Sequence, residues 1–289
     1  MIATFTFKNI ITKGTFQITG FTGFISRGIF YEILKNMDPN LANNLHKIKK
    51  IAPYSTSPLV LETKNRVLTK NDIFTFTISL LTEDLIMKTR EFLIKNNDLI
   101  IKVKDAEAQI INLTISVMDM KSIMNELTPV TAFSVDFLTP TYFRQTLLKN
   151  PYDKTKNIRK KYYRYVPLPD PYLFFRSLAR LWKKFVDINI NYKEYINWLL
   201  EGGIAIAGYT TLKTYRIFEH PTIPKWNVGF VGTVYYNTPR DTYDEKMAKI
   251  THALLKFGEY SNVGGNRTAG FGKIKYKIKQ EPQSNDKNP

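Results

Sequence analysis

The 289-residue sequence contains no cysteine, only three histidines, and few acidic residues for its size. Without cysteine there are no disulfides, thiolate metal sites or cysteine nucleophiles. His46, His220 and His252 lie far apart in the chain, which argues against a histidine-built metal centre. No apolar run approaches the ~18 residues that a membrane span requires. The first residues, MIATFTFKNII, alternate as a strand does and lack the layout of a signal peptide. The expectation is a cytoplasmic protein that needs neither membrane nor cofactor. Asp+Glu number 25 against 42 Lys+Arg, a formal net charge of +17. That excess favours a polyanionic partner. Aromatic residues make up 13% of the chain, and beside such charge they favour RNA, whose unpaired bases stack on rings.

Hydrophobic periodicity alternates strands with helices. Phe5 and Phe7 alternate with Thr4, Thr6 and Lys8, a half-buried strand. Phe30, Ile33, Leu34 and Met37 recur at helical spacing. Phe74, Phe76, Ile78 and Leu80 form a second strand, and Thr82-Glu83-Asp84 opens a helix with acids at the positive end of its dipole. Ile111, Leu113, Ile115 and Val117 form a third strand, and an extra hairpin or strand is expected between residues 51 and 70. The order then repeats. Phe133, Val135 and Phe137 start a strand that Thr139-Pro140 should stop. Residues 170–201 read as two helical pieces, and 203–218 with 226–237 as a strand pair. Tyr243, Met247, Ile250, Leu254 and Phe257 mark a helix that Gly258 should end. A last strand places Ile274, Tyr276 and Ile278 on one face. The order predicts an α+β chain of two tandem ferredoxin-like (RRM-like) domains, with a glycine-rich loop before the C-terminal strand. The expected boundaries are 1–125, 126–280, and a disordered tail at 281–289.

The loop, NVGGNRTAGFGKIKY from Asn262 to Tyr276, sets Gly264, Gly265, Gly270 and Gly272 around Arg267. Glycine lets backbone N–H groups turn toward an anion and admits φ > 0. A plain hairpin turn is the simpler alternative. Gly265 and Gly270 have Walker A spacing, but Phe271 and Gly272 follow where Lys and Ser/Thr are needed. A Rossmann reading fails too, since no βαβ unit follows. GFGKIKY is similar to an RNP1 pattern, except that Lys273 replaces an aromatic. A second basic feature spans residues 150–171, with Arg159, Lys160, Lys161 and Arg164 among four tyrosines. Cations there can hold phosphates while the rings stack on bases. A solvated surface loop is the alternative.

With these residues in view, the chain resembles the CRISPR repeat-RNA endoribonucleases of the RAMP superfamily. Asn262-Val263-Gly264, the five residues GNRTA, and Gly270-Phe271-Gly272 match that family's loop, with Asn262 in place of its first glycine. Residues 25–55, ISRGIFYEILKNMDPNLANNLHKIKKIAPYS, look like the helix and following segment of the cleaving members. Phe137-Leu-Thr-Pro-Thr141 and GFVGTVYY are similar to strands of the family's second domain. The resemblance implies a catalytic tyrosine, histidine and lysine at Tyr31, His46 and Lys50. By themselves, Tyr31 sits roughly 100° around its helix from the apolar face, and His46 can move protons near neutral pH.

The resemblance further implies metal-independent cleavage of CRISPR precursor RNA within its repeats. The 2′-OH would attack the adjacent phosphorus, leaving a 2′,3′-cyclic phosphate and a 5′-OH. Tyr31 and His46 would serve as acid and base in either order, and Lys50 would stabilise the phosphorane. Gly264, Gly265, Arg267, Gly270 and Gly272, with Arg27, Lys47 and Lys49 and the basic insertion, are the expected RNA contacts. Transfer of the product to an effector complex and pairing as a homodimer are compatible with this reading. A rival assigns the chain as a non-cleaving RAMP subunit that grips RNA in an effector complex. It would explain the loop and the charge, but would give Tyr31, His46 and Lys50 no role.

Overall fold

The computed structural model describes residues 1–47, 51–96, 98–146, 163–218 and 226–278. Its first half comprises β1 (Ile2–Gly14), β2 (Phe16–Gln17), α1 (Gly23–Met37), α2 (Pro39–Lys47), β3 (Tyr54–Thr56), β4 (Val60–Leu61), β5 (Val67–Leu68), β6 (Ile73–Leu80), α3 (Glu83–Lys95), β7 (Ile100–Val103), β8 (Ala106–Met118) and α4 (Met120–Glu126). The main sheet runs β3-β6-β1-β8-β7, all antiparallel, with the short β4 also on β6. Taking β1, β3, β6 and β8 as the four strands of a ferredoxin-like unit, the order is 4-1-3-2 once read from β8; β7 is an added edge. Phe5, Phe7, Phe74 and Phe76 all point into one buried core with Ile29, Phe30, Ile33 and Leu34 of α1. Phe7 and Phe76 are register partners and stack at 5.0 Å, the cross-strand pairing that stabilises a sheet.

The second half comprises β9 (Ala132–Thr141), β10 (Phe143–Thr146), β11 (Tyr163–Val166), α5 (Pro171–Phe185), α6 (Tyr192–Leu200), β12 (Ala205–Phe218), β13 (Trp226–Asn237), α7 (Glu245–Ser261) and β14 (Ile274–Ile278). Its sheet is β12-β13-β9-β14, again antiparallel. With β9, β12, β13 and β14 as strands one to four, this is the same 4-1-3-2 order. The tandem ferredoxin-like expectation therefore holds at the level of strand topology. Asp170 accepts from the Leu173 N–H and caps α5, with Pro171 at its first position. Phe174, Phe175, Leu178 and Trp182 then fill the core against Phe133, Phe137 and Tyr236.

Several sequence expectations are corrected here. Pro140 does not stop β9, which runs to Thr141. The β13 ladder breaks between Phe230 and Gly232, so three residues of β9 oppose one of β13 and the missing proline N–H costs nothing. Gly258 does not end α7, which continues to Ser261. A Cβ at 258 would come within 2.9 Å of Ile274 and 3.1 Å of Leu178, so this glycine admits close helix packing. Tyr243 precedes that helix and is exposed. In β8, Ile111 is exposed rather than buried, because the register shifts opposite Lys8 and Asn9. The seam expected at residue 125 falls inside α4, whose Met120 packs into the second core. The tail at 281–289 and most of the basic insertion lie outside the described residues, and no described helix is long and apolar enough to cross a membrane.

Candidate active site

The two halves enclose a cleft of about 540 Å³. Its walls come from α1, α2 and the start of β3 on one side, and from α5, β10 and the glycine loop on the other. Gly23, Arg27 and Tyr31 are spaced four apart along α1, so they share a stripe. Gly23 docks on the glycine loop so closely that a Cβ would lie 2.0 Å from the Ala269 carbonyl. This contact aims Arg27 and then Tyr31 along the cleft wall. Asp38 sets α2 beside α1 by accepting from the N–H groups of Asn40 and Leu41. Ala42 and Leu45 bury one face of α2, leaving His46 exposed in its last turn. The Tyr31 and His46 rings meet edge to face at 5.5 Å. Residues 15 apart in sequence, on two helices, thus meet ring to ring on an open wall. Lys47 is exposed just past His46. Lys49 and Lys50 lie outside the described residues.

Opposite the pair, three arginines that no sequence motif singled out line the cleft: Arg144 of β10, and Arg176 and Arg180 of α5. Among the described residues none of them, nor Arg27, forms an ion pair with an acid. Arg27 lies over Phe24 at 5.3 Å, Arg144 over Tyr165 at 5.7 Å and Arg176 over Tyr172 at 5.5 Å. These rings steer the guanidinium groups without neutralising them. The arrangement is an uncompensated positive wall facing a tyrosine–histidine pair. One signal was available in PYLFFRSLARLWKKF, where Arg176 and Arg180 stand one turn apart within an otherwise apolar stretch. Among the described residues, no three His, Asp or Glu side chains gather into a metal-binding group.

The glycine loop lines the cleft through Gly264, Gly265 and Arg267, but its internal chemistry corrects the anion-cradle expectation. All four glycine N–H groups already donate to protein acceptors: Gly264 to Ser177 Oγ, Gly265 to the Tyr142 carbonyl, Gly270 to that of Arg267 and Gly272 to that of Pro140. The missing side chains serve packing instead. A Cβ on Gly265 would sit 2.3 Å from the Tyr142 ring. Gly264, Gly270 and Gly272 have φ of 72°, 77° and 69°, where only glycine is unstrained. Asn262, the departure from the family's glycine, has φ 52° and donates its Nδ2 to the carbonyls of Thr56 and Phe271.

Arg267 is likewise turned inward. Its guanidinium is buried and donates to the carbonyls of Ser261 and Ala52, the latter at 3.0 Å. Burial draws its pKa down to about 10, which still leaves it charged at neutral pH. Together with Ser55 Oγ donating to the Tyr260 carbonyl and Thr56 Oγ1 to that of Thr268, it joins the two halves along β3. Arg164 sits exposed on β11, while Arg159, Lys160 and Lys161 are outside the described residues. His252 is buried, with Nδ1 against the Thr128 carbonyl at 2.9 Å. It takes no part in the cleft.

Residues 135–274 match the family model for the CRISPR-associated endoribonuclease Cas6. The match covers the second fold and the glycine loop, and does not extend to Tyr31 or His46. No curated protein matches the chain. Among solved structures, a Thermus thermophilus Cas6 in a product complex aligns with a TM-score of 0.73 at 19% identity, over 96% of this chain and 100% of that one. A second Cas6 product complex gives 0.67 at 19% identity over the same shares. A Cas6-related protein of Pyrococcus furiosus gives 0.58 at 14% identity, over 97% and 100%. The second half of the chain thus matches the Cas6 endoribonuclease family, and the likeness to solved structures extends the shared fold over the first half.

Proposed function

We propose that the protein cleaves CRISPR precursor RNA within its repeats without a metal ion, by attack of a ribose 2′-OH on the adjacent phosphorus. The observation that carries this reading is the Tyr31–His46 pair, 5.5 Å apart on the wall of a cleft lined by four arginines that pair with no described acid. Relatives of the same fold were solved with a product and with a substrate mimic, which supports an RNA strand in the corresponding groove. The 2′-OH gives up its proton as its oxygen bonds to phosphorus. The P–O5′ bond then breaks, and the departing 5′-oxygen takes a proton, leaving a 2′,3′-cyclic phosphate and a 5′-OH. Tyr31 and His46 supply the proton acceptor and donor, help worth ~10²–10⁴-fold in rate. The arginines, with Lys50, offset the charge on the phosphorane. The product passes to a CRISPR effector complex.

Two measurements test this assignment. Cleavage of repeat RNA in excess EDTA proceeds at the rate seen without chelator. Activity that vanishes on chelation and returns with Mg²⁺ overturns the mechanism. Replacing Arg176 and Arg180 together by alanine weakens binding most at low salt. The slope of log affinity against log salt falls by ~0.7 for each phosphate of a single strand that the protein ceases to neutralise. A slope equal to that of the wild type removes α5 from the RNA path.

A further inference from the structure

Ser177 stands between Arg176 and Arg180 in the cleft lining of α5, and the cleavage chemistry described above gives it no task. It is half-buried. Its Oγ accepts the Gly264 N–H at 3.2 Å, which ties α5 to the glycine loop. A hydroxyl carries one hydrogen and two lone pairs, so this bond leaves the Ser177 hydrogen uncommitted. A serine inside a helix can return that hydrogen to the carbonyl four residues earlier, here Leu173. No such bond forms, and among the described residues the hydrogen has no acceptor. The charged neighbours in the lining, Arg144, Arg176 and Arg180, are donors themselves and offer it nothing to bond.

We propose that Ser177 binds phosphate: its O–H donates to one non-bridging oxygen of the RNA backbone, with the Gly264 amide behind it. The proposal rests on the reading above that an RNA strand lies in this cleft. A hydroxyl that accepts a hydrogen bond becomes a stronger donor, because successive bonds polarise one another. The glycine loop thereby acts on the phosphate through a single intervening oxygen, although its own glycine amides are all taken. The task differs from that of the arginines. Their charge draws a phosphate in from a distance and from many directions. A hydroxyl reaches only one oxygen at hydrogen-bond range. Ser177 thus selects one of the two non-bridging oxygens and sets the register of the strand against α5.

The test is affinity for repeat RNA whose attacking 2′-OH is replaced by hydrogen, so that binding is read without cleavage. Ser177→Ala removes only the hydroxyl, and alanine is the better helix former, so α5 stays formed. The expected result is an affinity ~10-fold lower, the scale of one hydrogen bond to a charged group. The plot of log affinity against log salt keeps its wild-type slope, because no charge is removed. Sulfur put in place of a single non-bridging oxygen keeps the phosphate charge but accepts hydrogen bonds weakly. At one linkage, and in one stereoisomer, that sulfur lowers wild-type affinity about as far as Ser177→Ala does and leaves the affinity of the variant unchanged. Losses from sulfur and from Ser177→Ala that multiply at every linkage mark a purely structural serine and overturn the proposal. So does wild-type affinity for Ser177→Ala. Both results leave the cleavage reading intact, since that reading rests on Tyr31 and His46. The expected sulfur pattern in a wild-type protein that never cuts unmodified repeat RNA supports the proposal and overturns only the cleavage reading. Full affinity after Arg176 and Arg180 are both replaced by alanine overturns the proposal together with the placement of the strand in this cleft.

Discussion

His46→Ala cuts single-turnover cleavage of repeat RNA by ~10²-fold or more, the usual scale for losing a general acid or base. Binding hardly changes, because His46 is one exposed side chain facing a wall of arginines that carries the phosphate attraction. The fold is also indifferent, since α2 is anchored by Ala42 and Leu45 on its other face. Thermal unfolding of the variant therefore overlays that of the wild type while its rate collapses. A variant that binds and cuts like the wild type removes His46 from the mechanism. A wild-type protein that binds tightly and never cuts promotes the non-cleaving subunit in its place.

The second large effect is on stability. Gly272→Val places a branched side chain at φ 69°, with its Cβ 1.9 Å from the Val263 carbonyl. Backbone on both sides must give, and the cost is roughly 4 kcal/mol or more, at the severe end for a single substitution. The unfolding midpoint falls by about 10 °C or more. Gly28→Ala is the matched control. Gly28 lies exposed inside α1 with open space at its Cβ position, so alanine there stabilises by up to about 1 kcal/mol. If the two variants melt together, the loop glycines are not packing elements, and their amides return as candidates for phosphate.

The strands were legible in the sequence because each half-buried sheet writes its period into the chain. Phe5 and Phe7, or Phe74 through Leu80, cannot sit otherwise without exposing phenylalanine. Tyr31 and His46 were singled out through resemblance, and α1 and α2 bring their rings within 5.5 Å of each other. Distances set by tertiary packing were not legible. Arg144 comes from a two-strand ribbon with β11 and lines the cleft from there. Arg267 shows the opposite error. As a cation between glycines it invited a phosphate, and only the fold shows that two carbonyls already hold it. Gly258 misled for a related reason, since a glycine that ends a helix and one that admits a neighbour look the same in a string of letters.

The hydrogen bonds across the join end on main-chain oxygens, those of Ala52, Thr56, Tyr260 and Thr268. A carbonyl is present whatever side chain its residue carries. Substitution at Ala52 therefore leaves the acceptor that Arg267 requires, whereas the hydroxyls of Ser55 and Thr56 are donors that substitution removes. Mutational freedom is thus unequal along the seam: wide where a residue offers only its carbonyl, and narrow at Ser55, Thr56, Asn262 and Arg267, whose side chains donate. A lineage of such proteins can rewrite the carbonyl-bearing positions while the donors on both sides keep a recognisable spelling.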